Sequence, residues 1–528
     1  MTQQLTASPA GAPTLLSALS EDERYRRFDR LQARMDSVWQ AMRLNREDES
    51  VVVIPSITLD KAVPSAGTLT QAYEERLLFL LMLLRQPRLR MIYVTSLPIA
   101  PEIIEYYLAL LPGVIPSHAR SRLSLVSLND ASPRPLSQKL LDRPRVLVRI
   151  GAMLPNRETS HLIPYNTTEL ERDVALTLGI PMYGADPRLA ELGSKTGCRR
   201  LFGELEVPHP LGMEDLHSLD DIADALVGMR AQRPSMSSAI VKLNEGVSGA
   251  GNAVVRLGGL PDPGAPDERE AVLRRLVEME LESTETPYAV YVAKFAEGGG
   301  IVEERIEGDE LRSPSVQLRV LPGGVVELLS THDQLLGGAS GQSYLGCVFP
   351  ADVEYARLIT NHAATIGQRL AEEGALGRFA VDFVVVREGT EWTPYAIELN
   401  LRKGGTTHPF LTLQFLTDGH YDPVSGLFLT PTGEEKHLVA TDHLESELLR
   451  GLLPHDLFDI VARQGLHFDQ SRQVGIVFHM ISSLTEHGRI GLTAVGNTPQ
   501  DAEERYQAAQ RIVLEEARSA LDEPPLPD

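Results

Sequence analysis

The sequence is poor in cysteine, has no long apolar run and carries fewer basic than acidic residues. Only 2 cysteines occur in 528 residues, which excludes a disulfide framework or a cysteine-based metal site and fits a reducing cytoplasm. The longest leucine-rich run, Leu77 to Leu84, is flanked by arginines, whereas a membrane span needs about 20 apolar residues. The first residues lack a basic segment followed by an apolar one, so no secretory signal is expected. The net charge of −22 argues against nucleic acid or an anionic membrane as a partner.

The length and the hydrophobic patterns predict several domains. Apolar strand patterns alternate with helical ones up to residue 186, which indicates a parallel sheet, although no phosphate-binding glycines follow the first strand. A capping box, Thr168 with Glu171, marks a helix start there, and YAVYVAKF is predicted as a later strand. We predict a partly disordered leader with a helix, an α/β domain, a first α+β part with a glycine loop, a second strand-rich part, and a C-terminal α+β segment with a disordered tail, at residues 1–50, 51–186, 187–305, 306–440 and 441–528.

A lysine ends a strand directly before a glycine-rich loop in AIVKLNEGVSGAGNAVV, residues 239–255. Glycines such as Gly246, Gly249 and Gly251 let backbone N–H groups close over a phosphate, and Lys242 supplies a point charge beside them. A simple hairpin turn is the alternative interpretation.

An acidic strand end follows in VEERIEGDE, residues 302–310. A free strand edge can bind adenine through its backbone, while a carboxylate such as Glu310 accepts hydrogen bonds from ribose hydroxyls. A solvated hairpin is the alternative.

Polar or charged side chains alternate with leucines in the first part of AIELNLRKGGTTHP, residues 396–409. Glu398, Asn400 and Arg402 occupy every second position, so they share one face of a strand. Asp382 lies on the preceding strand, and oxygen donors on neighbouring strands can converge on Mg²⁺. Arg402 could then neutralise charge on a transferring phosphoryl group. A solvated edge strand is the alternative, but acids placed beside apolar runs usually have a partner.

Two familiar nucleotide motifs are excluded. GSKT at residues 193–196 lacks the earlier glycine of a P-loop, because Arg188 stands there. A protein kinase is excluded because Lys242 precedes the glycine loop and no HRD or DFG occurs.

The order SKTGCR, strand lysine with glycine loop, VEERIEGDE, VDF and IELNLRKGG resembles the ATP-grasp superfamily of carboxylate–amine and carboxylate–thiol ligases. LIPYNTTELERDVALTLGIPMYGADP, STHDQLLGGASGQSYLGCVFPAD and GIVFHMISSLTEHGRIGLTAVG suggest a narrower resemblance, to the pheganomycin-type peptide ligases with a pre-ATP-grasp domain. The implied fold is α/β and α+β: a Rossmann-like pre-ATP-grasp domain, two α+β subdomains that clasp ATP, and a small C-terminal α+β segment.

The resemblance also implies roles for individual residues. The adenine amino group would pair with Glu303, the ring would contact the backbone at Arg305 and Ile306, and Glu310 would hold the ribose. The phosphates would contact Lys195, Arg199, Lys242, Ser248, Gly249 and Gly251, and a plain position on a helix surface is the alternative for Lys195. The magnesium ligands would be Asp382, Glu398 and Asn400, and the catalytic cations Arg402 and Lys242.

Substrate contacts are expected in two loops. The loop after the metal-binding strand offers Thr406, Thr407 and His408, with ordinary turn chemistry as the alternative. The glycine-containing segment 332–346 could close as a lid, with His332 and Gln334 lining the substrate; a packed turn is the alternative.

The chemistry implied by the resemblance is amide formation through an acyl phosphate, with ATP, two Mg²⁺ ions (Mn²⁺ as a substitute) and small carboxylate and amine substrates such as amino acids or peptides. A cytoplasmic enzyme of specialised metabolism is expected. No nucleic-acid or membrane partner is expected. A homodimer is an open possibility, since large ligases of the superfamily are often dimers. The alternatives are a non-catalytic ATP-binding module and a ligase with a thiol or hydroxyl acceptor.

Overall fold

The computed structural model describes residues 16–44, 47–57, 68–246, 251–283, 286–337 and 343–521. None of the helices in these ranges combines the length and apolar character required to cross a bilayer.

The N-terminal region is the predicted α/β unit. Its four strands are parallel in the order β3-β2-β1-β4, and β1 is buried along its whole length because helices cover both faces of the sheet. The predicted capping box is present at the start of α8. The elements are α1 Glu21–Gln32, α2 Met35–Leu44, β1 Glu49–Ile54, α3 Thr68–Glu75, β2 Leu89–Thr95, α4 Pro101–Ala109, α5 Pro116–Arg120, β3 Leu123–Ser127, α6 Leu136–Leu141, α7 Pro144–Ala152, β4 Ser160–Pro164 and α8 Glu169–Leu178, with 3₁₀ turns at Leu16–Ala18 and Leu78–Arg85.

A second unit has a five-stranded sheet in the order β5-β9-β6-β7-β8, whose pairs are antiparallel. The strand predicted for YAVYVAKF is wrong: these residues begin α12. Tyr291 and Phe295, four residues apart, are its buried side chains, which is helical spacing. After a 3₁₀ turn at Pro187–Gly193, the elements are α9 Lys195–Glu204, β5 Gly212–Leu216, α10 Leu219–Gln232, β6 Ser238–Leu243, β7 Asn252–Arg256, α11 Glu268–Val277, β8 Glu280–Leu281, α12 Tyr288–Gly298 and β9 Gly300–Glu304.

The third unit is a nine-stranded sheet with path β10-β14-β11-β12-β13-β18-β20-β19, and β15 pairs with β14. The strands near the C-terminus therefore continue this sheet. The Thr498 side chain caps the last helix by accepting a hydrogen bond from the Asp501 N–H. The elements are β10 Glu310–Arg312, β11 Pro314–Val320, β12 Val326–Gly337, β13 Ser343–Phe349, α13 Val353–Glu372, β14 Gly377–Glu388, β15 Glu391–Asn400, α14 Thr407–Thr417, β16 His420–Asp422, β17 Leu427–Leu429, β18 His437–Glu445, α15 Pro454–Arg463, β19 Gly475–His479, α16 Leu484–His487, β20 Arg489–Gly496 and α17 Pro499–Ala520, with 3₁₀ turns at Glu447–Gly451 and Ile481–Ser483.

Candidate active site

Two cavities meet at the pair Lys195 and Glu398. Cavity 1, of about 560 Å³, lies between the five-stranded and the nine-stranded sheets. Cavity 2, of about 310 Å³, lies on the other side of the pair, against the start of α8 and the helix α12. Lys195, Gly246 and Glu398 line both cavities, so a molecule in one can reach a molecule in the other past Glu398.

Lys195 reaches Glu398 because α9 begins beside β15. The Ser194 side chain caps this helix by accepting a hydrogen bond of 2.9 Å from the Gly197 N–H. A side chain at Gly197 would place Cβ only 1.9 Å from the Glu191 carbonyl oxygen, so glycine allows the helix to start close to the preceding turn. The Lys195 Nζ lies 2.5 Å from Glu398 Oε1, and its side chain is almost fully buried.

Asp382 and Glu398 are neighbours on the antiparallel strands β14 and β15. The Asp382 carboxylate accepts hydrogen bonds of 3.0 Å each from Gln334 Nε2 and Asn400 Nδ2. Burial and the nearby Glu398 charge raise the pKa of Asp382 to about 6. Burial also acts to raise the pKa of Glu398, but the Lys195 ammonium outweighs it and the pKa is lowered. The strand alternation thus brings Asp382, Glu398 and Asn400 together, as the sequence predicted.

A second buried cluster joins two of the three predicted phosphate-binding cations. Lys242 Nζ lies 2.5 Å from Glu303 Oε1, and Arg199 Nη1 lies 3.4 Å from Glu303 Oε2. All three side chains are at most 6% exposed. The Glu303 carboxylate therefore faces the two cations. This arrangement differs from the predicted contact of its side chain with adenine.

The chain after β9 forms one wall of cavity 1. Glu304, Arg305, Ile306, Glu307 and Gly308 all line it. The Arg305 N–H donates a hydrogen bond of 3.2 Å to the Ser238 carbonyl, so it is not available to a ligand. A ligand in cavity 1 would have to use other backbone groups of this segment.

The ribose contact predicted for Glu310 is wrong for this geometry. Glu310 does not line cavity 1, because its carboxylate is turned onto Arg312 at 2.6 Å and Arg387 at 3.3 Å. The carboxylate that faces cavity 1 nearby is Glu307, which accepts hydrogen bonds from Ser237 and Ser238.

Cavity 2 contains charged groups of both signs. Arg402 follows β15, Lys294 projects from α12, and Glu245 precedes the glycine loop. Within the described ranges, Lys294 and Arg402 form no salt bridge, and the hydrogen bond found for Arg402 goes to the Lys403 carbonyl at 3.2 Å. Two cations that form no direct salt bridge in the described part of the chain therefore line this cavity, and the Arg402 charge acts to lower the pKa of both Asp382 and Glu398.

The prediction that His332 lines a substrate is wrong. Its ring is fully buried against Phe349 and Phe410, with centroid distances of 5.0 and 6.2 Å. The Nε2 atom is 2.9 Å from Ser330 Oγ, and burial lowers the pKa of the ring to about 3. Gln334, two positions further on, does line cavity 1.

The substrate contacts predicted for Thr406, Thr407 and His408 are also not observed at either cavity. Thr406 and Thr407 bond to Gln317, and Thr407 Oγ1 accepts a hydrogen bond from the Gly404 N–H at 2.9 Å. The turn chemistry weighed as the alternative explains them. His408 packs instead against His479.

Two residues of the predicted phosphate loop, Ser248 and Gly249, lie outside the described residues. Gly251 lies in the described part and lines cavity 2. Sequence reasoning missed Lys294 and Glu307. Lys294 was hidden by the incorrect strand assignment, whereas Glu307 was present in the quoted acidic motif but was passed over for Glu310.

Two family models match parts of the chain. Residues 268–424 match "IQCH-like, ATP-grasp", and residues 456–509 match the PGM1 C-terminal domain. A curated relative, the L-propargylglycine--L-glutamate ligase of Streptantibioticus cattleyicolor, is 27% identical over 451 residues, which cover 83% of this chain and 89% of the relative.

Solved structures share the fold at low identity. The ADP complex of PurK, an N5-carboxyaminoimidazole ribonucleotide synthetase, has a TM-score of 0.50 at 11% identity and covers 89% of this chain and 98% of its own. The biotin carboxylase domain of the Hydrogenobacter thermophilus 2-oxoglutarate carboxylase, with MgADP and bicarbonate, has a TM-score of 0.52 at 11% identity, with 87% and 89% covered. The predicted fold class is confirmed. The predicted resemblance to the ATP-grasp ligases, and among them to the pheganomycin-type peptide ligases, is confirmed.

Proposed function

We propose that this protein is an ATP-dependent carboxylate–amine ligase that joins two amino acids, or an amino acid and a small peptide, through an acyl phosphate. The observation that carries the proposal is the set Asp382, Glu398 and Asn400 at the junction of two cavities. A nucleotide in cavity 1 and a carboxylate in cavity 2 would meet at this point. The curated relative, whose name specifies two amino-acid substrates, supports the substrate class.

The oxygen donors fit magnesium. Burial and the charge of the neighbouring Glu398 carboxylate raise the pKa of Asp382, so a cation between these two acids would relieve their repulsion, and Lys195 supplies one positive charge to Glu398. Carboxylate and amide oxygens together with substrate phosphates are the ligands Mg²⁺ prefers. When bound with ATP, the metal supplies charge neutralisation at the phosphates.

The chain positions the nucleotide from two sides. Lys242 lines the wall of cavity 1 and Arg199 does not, but Glu303 pairs with both and keeps the two cations buried and oriented before ATP arrives. Phosphate oxygens would share these cations with Glu303. The adenine would lie along Glu304 to Gly308, where backbone groups and Ile306 line the cavity.

Cavity 2 would hold the acid to be activated. Arg402 and Lys294 would bind its carboxylate groups and Glu245 its ammonium group, because opposite charges then face one another. A carboxylate oxygen attacks the γ-phosphorus, and ADP leaves. The amine nitrogen of the second substrate then attacks the acyl carbon, the C–O bond to phosphate breaks, and phosphate leaves while the amine loses a proton. Arg402 lies where charge on the transferred phosphoryl group would develop.

Several finer points belong to the same proposal. The N-terminal α/β region to residue 186, the unit at 187–305 and the strand-rich unit at 306–440 would act as the pre-ATP-grasp domain and the two halves that clasp ATP. The strands of segment 441–528 belong to the nine-stranded sheet. We place the enzyme in the cytoplasm and in specialised metabolism.

The test is a coupled assay for phosphate and product mass. The full chain is incubated with ATP, Mg²⁺ and a pool of amino acids, in complete reactions and in reactions that omit one component. The expected result is phosphate release that depends on the pool, together with a new mass equal to two components minus water. ATP binding without turnover on any amino-acid or dipeptide pool would contradict the proposal and favour a non-catalytic ATP-binding module. A thioester or ester product would instead identify a different acceptor.

A further inference from the structure

A second group of potential ligand atoms lies apart from the two cavities. His408 Nε2, His479 Nε2 and Asp442 Oδ1 point at one another, with separations of 2.8 Å between the two nitrogens, 2.7 Å from His479 to Asp442 and 3.4 Å from His408 to Asp442. All three side chains are at most 5% exposed. Among the described residues they are the only group of three histidine, cysteine or acidic side chains that converge closely enough to hold a metal ion.

Hydrogen bonds among these three side chains cannot satisfy all of their polar atoms. If His479 Nε2 carries a proton and donates it to Asp442, that nitrogen has no lone pair for His408. His408 must then present an unprotonated Nε2 and carry its own proton on Nδ1, which has no hydrogen-bond partner within the described part of the chain. Three atoms that could each ligate a metal therefore face one point with a single proton among them.

A divalent ion at that point would use all three lone pairs. Zinc binds imidazole nitrogen and carboxylate oxygen at about 2.0–2.2 Å, so tetrahedral ligand atoms lie roughly 3.3 Å apart. The two shorter separations, from His479 Nε2 to His408 Nε2 and to Asp442 Oδ1, would have to increase by about half an ångström. Two imidazoles and one carboxylate suit zinc better than magnesium, which prefers oxygen ligands.

The surroundings of Asp442 resemble the outer shell of a metal ligand. Arg76 from the end of α3 bonds to the other carboxylate oxygen, Oδ2, and leaves Oδ1 directed at the histidines. Arg489 Nε donates to the Asp442 carbonyl at 2.8 Å, and its own charge is paired with Glu445 at 3.2 Å. Hydrogen bonds of this kind fix the orientation of ligating side chains.

We propose that His408, Asp442 and His479 bind one divalent transition-metal ion, zinc by the chemistry of the ligand set. The site is separate from the oxygen set at Glu398. His408 is the second residue of α14, which follows the loop that carries Arg402, whereas Asp442 lies on β18 and His479 ends β19. The ion would therefore fasten the loop of cavity 2 to the C-terminal strands.

The test is a cobalt titration of the full chain, purified without an affinity tag and stripped of metal by a chelator. Co²⁺ substitutes for Zn²⁺ and reports nitrogen ligation through its visible ligand-field absorption. We expect one equivalent to bind, to be displaced by Zn²⁺, and to raise the melting temperature. His479→Gln and His408→Gln should weaken binding at least tenfold.

Two variants serve as controls for this titration. Glu391→Gln, an exposed change on β15, and His437→Gln, elsewhere on β18, should bind Co²⁺ like the unaltered chain. If the folded unaltered chain binds no Co²⁺ or Zn²⁺ at micromolar concentrations, or if His479→Gln binds them equally well, the proposal is overturned. Neither result would depend on whether the chain is a ligase.

Discussion

Among the groups of buried charge in the described residues, those beside the cavities and the one around Asp442 differ in what surrounds them. Around Glu398 and Glu303, lysine and arginine side chains pair with acids at the walls of two cavities. Around Asp442, Arg76 and two histidines pair with an acid inside packed protein. The pairwise chemistry is similar, but only the first cluster can be reached by a substrate-sized molecule. Access therefore separates groups that can act on a substrate from groups that hold segments together.

The largest effect is expected at Glu398. Glu398→Gln should lower turnover by about 10²–10³-fold or more, because it removes a charge that would hold the metal and phosphates, a loss comparable to that of an oriented oxyanion contact. The melting temperature should change little. Phosphate release in the complete reaction measures the effect. Glu391→Gln, an exposed change on the same strand, is the matched control and should be active.

Lys242→Ala should weaken ATP binding by roughly 10–100-fold, because charge-assisted hydrogen bonds contribute about 1.5–3 kcal/mol. Calorimetric titration with a non-hydrolysable ATP analogue measures the change. Arg256→Ala, at the exposed end of the next strand, should bind like the unaltered protein. Unchanged affinity in Lys242→Ala would move the phosphate site elsewhere.

Substitutions in the buried cluster around Asp442 should change the stability of the protein. In the metal-free chain, Asp442→Asn should lower the free energy of unfolding by about 3–5 kcal/mol, because it leaves the buried Arg76 without its partner. Asp220→Asn breaks an exposed pair with Arg269 and should cost less than about 1 kcal/mol. Denaturant unfolding compares the two variants. If both variants lost the same free energy of unfolding, the buried pair would not stabilise the protein more than the exposed pair.

A buried acid in the N-terminal unit predicts a pH effect. Burial raises the pKa of Glu74 from 4.5 to about 7, despite hydrogen bonds from Ser96. The folded chain then binds more protons than the unfolded chain between these values, so the contribution of Glu74 to stability is present below pH 4.5 and is lost as the pH rises to 7. Glu74→Gln should remove up to about 3 kcal/mol of this pH dependence, measured by denaturant unfolding at pH 5 and pH 8. An unchanged slope would show that Glu74 ionises normally.

The smallest effect on catalysis is expected at His332. His332→Gln should leave turnover per folded molecule within about twofold of the unaltered rate, because the ring packs on aromatic side chains and reaches neither cavity. Any cost should appear as a lower melting temperature. A large fall in turnover at unchanged stability would show that His332 acts in the active site.

Local patterns predicted the parts of the site that depend on strand geometry. Alternation along β15 put Glu398 and Asn400 on one face, and the hairpin brought Asp382 beside them. The helix α12 was misread because Tyr, Val and Phe favour strands, whereas burial of Tyr291 and Phe295 on one face decided the structure.

Other errors came from contacts between segments distant in sequence. The residues next to His332 in the sequence do not indicate that Phe410 packs against its ring. Neither does the acidic motif show that Arg387 draws Glu310 away from the cavity. The sequence patterns likewise gave no sign that His408, Asp442 and His479 converge, because three separate elements supply them.

The most direct test of the central claim follows oxygen atoms. An acid that the enzyme accepts is labelled with ¹⁸O in its carboxylate and incubated with ATP, Mg²⁺ and the amine partner, and the released phosphate is analysed by mass spectrometry. An acyl phosphate transfers one carboxylate oxygen to phosphate, so the account predicts one ¹⁸O atom in phosphate for each amide formed. Amide formation with unlabelled phosphate, or with AMP and pyrophosphate in its place, would contradict it.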